Sequence, residues 1–115
     1  MMDPAKKLPA RFYVSALRRK PVRERILELS EADSRIVGKD IQKVEFGSPL
    51  GRPHFAPLGD GLSEVRSDST AKMARVIFCL RDGKMVLLHR FMRKTRETPK
   101  AALDLAAKRT GELSR

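Results

Sequence analysis

Four short runs of the chain predict β-strands: the first alternates weakly between hydrophobic and polar residues, and the other three are rich in strand-forming residues. The first run, residues 11–17, contains the segment Phe-Tyr-Val, whose residue types suit a half-buried sheet surface. The other three runs occupy residues 62–66, 72–80 and 84–93. The last two runs are joined through Asp82-Gly83, a dipeptide typical of a tight hairpin. The pattern therefore predicts one early strand and a group of three later strands.

Apolar residues at helical spacing predict two consecutive helices after the first strand. Pro21 suits the first turn of a helix, where its missing N–H leaves no hydrogen bond unmade. Ser30 precedes Asp33 by three residues, a spacing that favours a serine cap on a second helix. Gly47 suits the end of that helix because glycine adopts positive φ freely. Residues 47–61 contain four glycines and three prolines and are predicted to form a loop.

The C-terminal region predicts a third helix that completes the domain. Thr98 and Pro99 are suited to cap and begin this helix, and Gly111 to end it. The predicted order is βααβββα, in an α+β fold with a small, mostly antiparallel sheet and helices packed on one face. The opposite face is predicted to be open. A chain of this length fits one domain at residues 11–111, with tails at residues 1–10 and 112–115.

The charge balance points to a polyanionic partner. The 115 residues include 25 Lys and Arg against 14 Asp and Glu, which gives a net charge of +11. The longest uninterrupted apolar run, residues 76–80, is far shorter than the roughly 20 residues that a membrane helix needs. We therefore expect a soluble, cytoplasmic protein with no membrane partner. The single cysteine, Cys79, excludes an internal disulfide and is expected to be an inert core thiol.

The basic residues concentrate in two segments on either side of the predicted sheet. They are Arg18, Arg19, Lys20, Arg23 and Arg25 before and in the first helix, and Arg90, Arg93, Lys94, Arg96 and Lys100 after the last strand. Aromatic residues make up only 5% of the chain and tryptophan is absent, so a base-stacking platform is poorly supported. Electrostatic contact with phosphates, or with an acidic protein, fits the sequence better.

Two polar residues interrupt apolar strands and are candidates for chemistry. Arg75 directly precedes Val-Ile-Phe, where it is either an ordinary exposed position or a clamp for phosphate oxygens. His89 follows a similar apolar run and is either catalytic or structural. The second histidine, His54, lies in the proline-rich loop. Because neither histidine has a Cys, Asp or Glu at ligand spacing, no metal or other cofactor is expected.

Three segments in a fixed order resemble a known family. Residues 57–66, 74–78 and 87–99 are similar to the HigB toxins of the RelE/ParE superfamily, in its phage-derived branch, and the resemblance extends over roughly residues 11–111. It implies a type II toxin-antitoxin toxin that cuts messenger RNA in the ribosomal A site. The implied reaction is metal-independent attack by the ribose 2′-hydroxyl. The implied partners are the ribosome, its mRNA and a HigA-like helix-turn-helix antitoxin. Contact with DNA is implied only indirectly, through the antitoxin.

The resemblance also implies roles for individual residues. Arg75 corresponds to an arginine that contacts the scissile phosphate, and Arg66 to the arginine that ends the preceding strand. Lys94 lies in the basic segment as either a base or an electrostatic group, and His89 is either catalytic or structural. The residues implied in RNA binding are Arg90, Arg93, Arg96 and Lys72. A tyrosine that some relatives carry in the last helix has no counterpart, since the only tyrosine is Tyr13.

Two further functions remain open at the level of sequence. ParE relatives share the fold but inhibit DNA gyrase by binding, without cutting RNA. A third alternative is an inactive homologue that binds only its antitoxin or RNA.

Overall fold

The computed structural model of the protein describes residues 8–47, 55–68, 73–93 and 97–113, which form an α+β fold. None of the described helices is both long and apolar enough to cross a bilayer. The elements, in chain order, are β1 (Ala10–Phe12), α1 (Pro21–Leu27), α2 (Glu31–Phe46), β2 (Phe55–Gly59), β3 (Leu62–Asp68), β4 (Met73–Arg81), β5 (Lys84–Met92) and α3 (Lys100–Leu113).

A five-stranded sheet in the order β1-β5-β4-β3-β2 forms the centre of the molecule. The strands from β2 to β5 pair antiparallel, and β1 pairs parallel to β5. The parallel strand is possible because α1 and α2 form a long crossover between β1 and the rest of the sheet. The prediction of a small, mostly antiparallel sheet in an α+β fold is confirmed.

Helices cover both faces of the sheet, so the prediction of an open face is wrong. On one face, α1 and α2 pack Val22, Val37 and Ile41 against apolar residues of β3, β4 and β5. On the other face, Ala102 and Ala106 of α3 join a second core cluster with strand residues that include Ile77 and Leu88. The α3 stripe of small residues lets the helix lie close to the sheet. We call the two sides the α1/α2 face and the α3 face.

Residues 55–59 form β2, although the sequence predicted a loop there. Pro57 and Gly59 are unfavourable in a central strand, but β2 is the edge strand, where a missing N–H donor costs no ladder bond. The register of β2 against β3 shifts between Pro57 and Gly59. Gly59, Asp60 and Gly61 all have positive φ and form the tight turn into β3. The observed order, βααββββα, therefore contains one strand more than predicted.

The predicted ends of the early helices are confirmed, whereas those of α3 are not. Ser30 accepts a hydrogen bond from the Asp33 N–H at 3.1 Å, as the sequence predicted, and Gly47 ends α2 with a φ of 77°. Helix α3 begins at Lys100, and the Pro99 carbonyl accepts its first hydrogen bonds, so the predicted start with Thr98 as cap and Pro99 as first residue is wrong. The Thr98 hydroxyl donates to Glu64 on the sheet. The helix also continues through Gly111 to Leu113, because exposed glycine lowers helix stability without preventing helix formation.

A β-bulge in β5 decides which side chains face which helix layer. Phe78 pairs with Leu87 and Ile77 pairs with His89, so Leu88 is an extra residue relative to β4. Leu88 is buried in the α3 cluster, and the pairing partner of His89, Ile77, belongs to the same cluster. Before the bulge the odd-numbered residues of β5 face α1 and α2, whereas after it the even-numbered residues do. Arg90 therefore lies beside Val76, a residue of the α1/α2 core.

Candidate functional site

Polar residues gather at one end of the α3 face, on adjacent rungs of three strands. The strand register places Glu64 of β3, Ile77 of β4 and His89 of β5 side by side in one row across the sheet, which we call a rung. The next rung whose side chains lie on this face aligns Arg66 and Arg75, followed across the sheet by Phe91. Neighbouring strands lie about 4.8 Å apart, so these side chains share one small area of the sheet. The sequence-predicted residues Arg66, Arg75 and His89 are therefore brought to the same end of the same face.

Glu64 is a buried carboxylate at the centre of this area, with 4% of its surface exposed. Its Oε1 accepts from the Arg66 Nε at 3.3 Å, and its Oε2 accepts from the Thr98 hydroxyl at 3.0 Å. Both hydrogen bonds orient the carboxylate, and the Thr98 bond ties the segment before α3 to the sheet. A buried, oriented carboxylate is suited to accept a proton from a bound substrate.

Arg75 is buried beneath the surface of the site, with only 2% of its surface exposed. Its Nη1 donates to the Asp68 carboxylate at 2.7 Å and to the backbone carbonyl of Ala74 at 2.9 Å. Asp68 itself is well exposed. The ion pair therefore joins a buried, oriented cation to a carboxylate at the protein surface. Of the two readings of Arg75 from sequence, the ordinary exposed position is wrong.

His89 is half-buried and stacks on Phe91, with 5.8 Å between the ring centroids. Burial lowers the pKa of His89 to about 4, and the positive charges of Arg109, Arg25 and Arg90 contribute to the decrease. The imidazole is therefore uncharged at neutral pH, when it can both accept and donate a hydrogen bond. A phosphate bound beside it raises this pKa, because negative charge stabilises the imidazolium form.

An open cleft of about 590 Å³ borders His89 and Phe91. His89 and Phe91 form its strand side, and the segment from Glu97 to Ala102 forms its helix side. Its lining includes Thr98, which donates a hydrogen bond to Glu64, so the cleft lies next to this carboxylate. Among the described residues, no three His, Cys, Asp or Glu side chains are grouped as in a metal site.

The remaining predicted residues are distributed differently. Arg90 pairs with Val76 of the α1/α2 core and is buried with 5% of its surface exposed, so it lies on the opposite side of the sheet from Glu64. Arg93 follows β5 directly, and its N–H donates to the Met73 carbonyl at 2.7 Å. Lys72, Lys94 and Arg96, like His54, lie outside the described residues.

Sequence reasoning missed Glu64, although a signal for it was present. In β3 the residues alternate between the two faces, and Glu64 occupies the same face as Leu62, a buried core residue. A charged residue on the buried face of a strand needs a polar partner or a function. The alternation alone therefore marks Glu64, but its proximity to His89 depends on the pairing of three strands, which the sequence does not specify.

The comparison with protein families assigns the chain. The profile described as phage derived protein Gp49-like (DUF891) matches residues 24–110. The chain belongs to the Gp49-like family. This family is related to toxin-antitoxin systems, which confirms the broader part of the resemblance found in the sequence. The narrower assignment to HigB toxins of the RelE/ParE superfamily stays a prediction. A comparison with curated proteins finds no significant match.

The Gp49-like match includes every described residue of the candidate site. It begins inside α1, spans α2 and all strands from β2 to β5, and ends within α3. Glu64, Arg75 and His89 therefore belong to the part of the chain that identifies the family. The parallel strand β1 and the first turn of α1 lie before the matched region.

Proposed function

We propose that this Gp49-like protein is the toxin of a type II toxin-antitoxin system and acts as a ribosome-dependent endoribonuclease on mRNA in the A site. The observation that carries the proposal is the group formed by Glu64, Arg66, Arg75 and His89 beside an open cleft, on a chain with a net charge of +11. A HigA-like antitoxin is the proposed inhibitory partner. The resemblance of three ordered segments to HigB toxins supports both parts.

The proposed reaction is an internal transesterification. The ribose 2′-oxygen attacks the adjacent phosphorus, and the bond from phosphorus to the 5′-oxygen breaks. The products are a 2′,3′-cyclic phosphate and a 5′-hydroxyl. One proton leaves the 2′-hydroxyl and one proton is given to the departing 5′-oxygen, so the reaction needs a base, an acid and cations for the charge that develops on phosphorus.

Arg75 and Arg66 are suited to stabilise the developing negative charge. The buried Arg75 is held in place by the Ala74 carbonyl, so its guanidinium is oriented before substrate binds. Its ion pair with Asp68 is replaced by contact with phosphate in the proposed complex. Arg66 is exposed apart from its contact to Glu64, so its guanidinium is accessible to a phosphate that approaches from solvent.

Glu64 and His89 are the proposed groups for proton transfer. Glu64 is the better base, because its two hydrogen bonds orient the carboxylate before substrate binds. A bound phosphate raises the pKa of His89, so the imidazole can hold a proton. His89 then donates this proton to the leaving 5′-oxygen as the general acid. Lys94 stays a predicted participant from the resemblance.

The decisive experiment is cleavage of a defined message by the purified protein, with and without translating ribosomes. New 5′ ends are mapped by primer extension. We expect ends within A-site codons only when ribosomes are present. Glu64→Gln and Arg75→Lys are each expected to lower the cleavage rate by about 100-fold or more, since each loses a group that acts in the transition state.

Matched controls separate chemistry from charge and folding. Lys84→Ala removes one exposed cation from the far end of the same strand as His89 and is expected to leave cleavage unchanged. Each variant is checked by thermal unfolding. If the message stays intact in every reaction while gyrase supercoiling is lost, the chain is an inhibitor of the ParE type. If neither activity is found and soluble expression does not arrest growth, the chain is an inactive relative.

A further inference from the structure

A second, smaller pocket lies at the free edge of β5 and is not part of the cleft described above. Its volume is about 100 Å³, and its lining comes from three elements: α1, β5 and α3. The pocket exists because β1 pairs with β5 only as far as Leu87. Past that point the strand edge has no partner strand in the described structure, and helices from both layers close around it.

Three arginines converge on this pocket. Arg25 comes from α1, Arg90 from β5 and Arg109 from α3, and His89 completes the polar part of the lining. These residues are far apart in the sequence, and only the fold brings them together. Arg109 is anchored, because its Nη1 donates to the Leu88 carbonyl at 2.6 Å and its guanidinium lies 5.1 Å from the centroid of the Tyr13 ring.

Arg90 carries the strongest evidence for an anion-binding site. Only 5% of its surface is exposed, yet its Nε has no hydrogen-bond partner among the described residues. Its Nη1 contacts the Met92 sulfur at 3.0 Å, a weak acceptor. Leaving a buried charged donor unsatisfied is costly in free energy, and such a group is normally paired with an acceptor.

The charge around Arg90 is not compensated within the described structure. Burial lowers the pKa of Arg90, Arg25 lowers it further, and Glu28 at the end of α1 opposes this effect only in part. The same positive charges lower the pKa of the neighbouring His89. Repulsion of this kind is relieved when an anion enters between the arginines.

We propose that the pocket formed by Arg25, Arg90 and Arg109 binds one phosphate group. The pocket volume of about 100 Å³ is several times what one water molecule needs, so the pocket accommodates a tetrahedral oxyanion. Guanidinium groups suit phosphate because their planar forks match its oxygens. The phosphate is either a free ion or a backbone phosphate of RNA that continues past His89 from the cleft. The proposal does not depend on whether the protein cleaves RNA.

The test uses the full chain and inorganic phosphate at constant ionic strength. The Nε–H signal of Arg90 in a ¹H–¹⁵N spectrum reports directly on the unpartnered donor. We expect a saturable shift of this signal with phosphate and none with an equal concentration of chloride. Arg25→Gln is expected to weaken the apparent affinity roughly tenfold, because one charged hydrogen bond is lost.

Arg23→Gln is the matched control, since Arg23 is another exposed arginine of α1 but does not line the pocket. It is expected to change the affinity by less than about twofold. The proposal is overturned if the Arg90 signal does not respond to phosphate, or if both variants weaken binding equally, as a diffuse basic surface predicts.

A second arm identifies the source of the phosphate. An oligoribonucleotide whose 2′-oxygens are methylated cannot undergo internal attack, so it binds without being cleaved. If it shifts the Arg90 signal and displaces inorganic phosphate, the pocket holds a phosphate of the RNA backbone. If the oligonucleotide binds elsewhere while phosphate still saturates the pocket, the site is specific for a free phosphate ion.

Discussion

At the scale of single residues, His89 stands between two groups of opposite character. On one side lies the cleft, where Glu64 shares its rung of the sheet. On the other side lies the pocket of three arginines. The uncharged imidazole lies between a buried carboxylate and a concentration of positive charge, and the arginines of the pocket help to hold its pKa low.

The low pKa of His89 predicts a pH-dependent stability. The folded chain holds the pKa at about 4, against 6.5 for an unperturbed histidine. Below pH 6.5 the unfolded chain binds a proton that the folded chain does not bind, so the free energy of unfolding falls as the pH decreases from 6.5 to 4. We expect His89→Gln to flatten this part of the profile, measured by urea unfolding at a series of pH values. An identical slope in both proteins contradicts the prediction.

Some residues of the candidate site can be predicted from the sequence, whereas others are recognised only once the fold is known. Arg75 and His89 are marked in the sequence because each interrupts an apolar strand. Glu64 is marked by alternation only if the strand's buried face is known. The joining of Arg25, Arg90 and Arg109 depends on the packing of three elements around one strand edge, and no local pattern contains that information.

At the scale of elements, two glycines have opposite consequences for stability. Gly38 lies in the middle of α2, on the side of the helix that faces solvent, and an added Cβ there has no other atom within 4 Å. Gly83 lies in the β4–β5 turn with a φ of 74°, beside Asp82 at 54°. Glycine in a helix costs conformational entropy, whereas glycine at positive φ relieves steric strain.

We predict that Gly38→Ala stabilises the protein by about 0.5–1 kcal/mol. Gly83→Ala is predicted to destabilise it by about 1–2 kcal/mol, because alanine is strained in the left-handed conformation. Thermal unfolding with chemical denaturant as a cross-check measures both. The pair forms its own control, since the same substitution is made twice. If both substitutions change the free energy of unfolding in the same direction, this explanation of the two glycines is wrong.

The sequence predicts most elements because their signals are local. Helical spacing, the Ser30 cap and the Asp-Gly turn each act within a few residues, and the structure confirms them. The missed strand β2 has poor local propensity and exists because β3 provides a partner for it. The position of α3 on the second face is likewise a tertiary property, since its apolar stripe does not specify which surface it covers.

At the scale of the whole molecule, the net charge of +11 predicts salt-sensitive binding to RNA. Contact with about four phosphates gives a slope near −3 when the logarithm of the association constant is plotted against that of salt concentration. Arg66→Ala is expected to reduce the magnitude of the slope by about 0.7 if its exposed guanidinium contacts one phosphate. Lys84→Ala is expected to leave the slope unchanged. Fluorescence anisotropy with a methylated oligoribonucleotide provides the measurement, and a flat response refutes the electrostatic account.

The bulge at Leu88 has a consequence for how this chain can change over evolutionary time. After it, His89 and Phe91 face α3, whereas Arg90 and Met92 face the other helices. Because Leu88 has no pairing partner on β4, a chain that lacks this residue still places Leu87 opposite Phe78 and His89 opposite Ile77. An extra residue within the regular pairing after the bulge instead exchanges the two faces. Related chains are therefore expected to vary in length at the bulge itself more readily than in the paired residues that follow it.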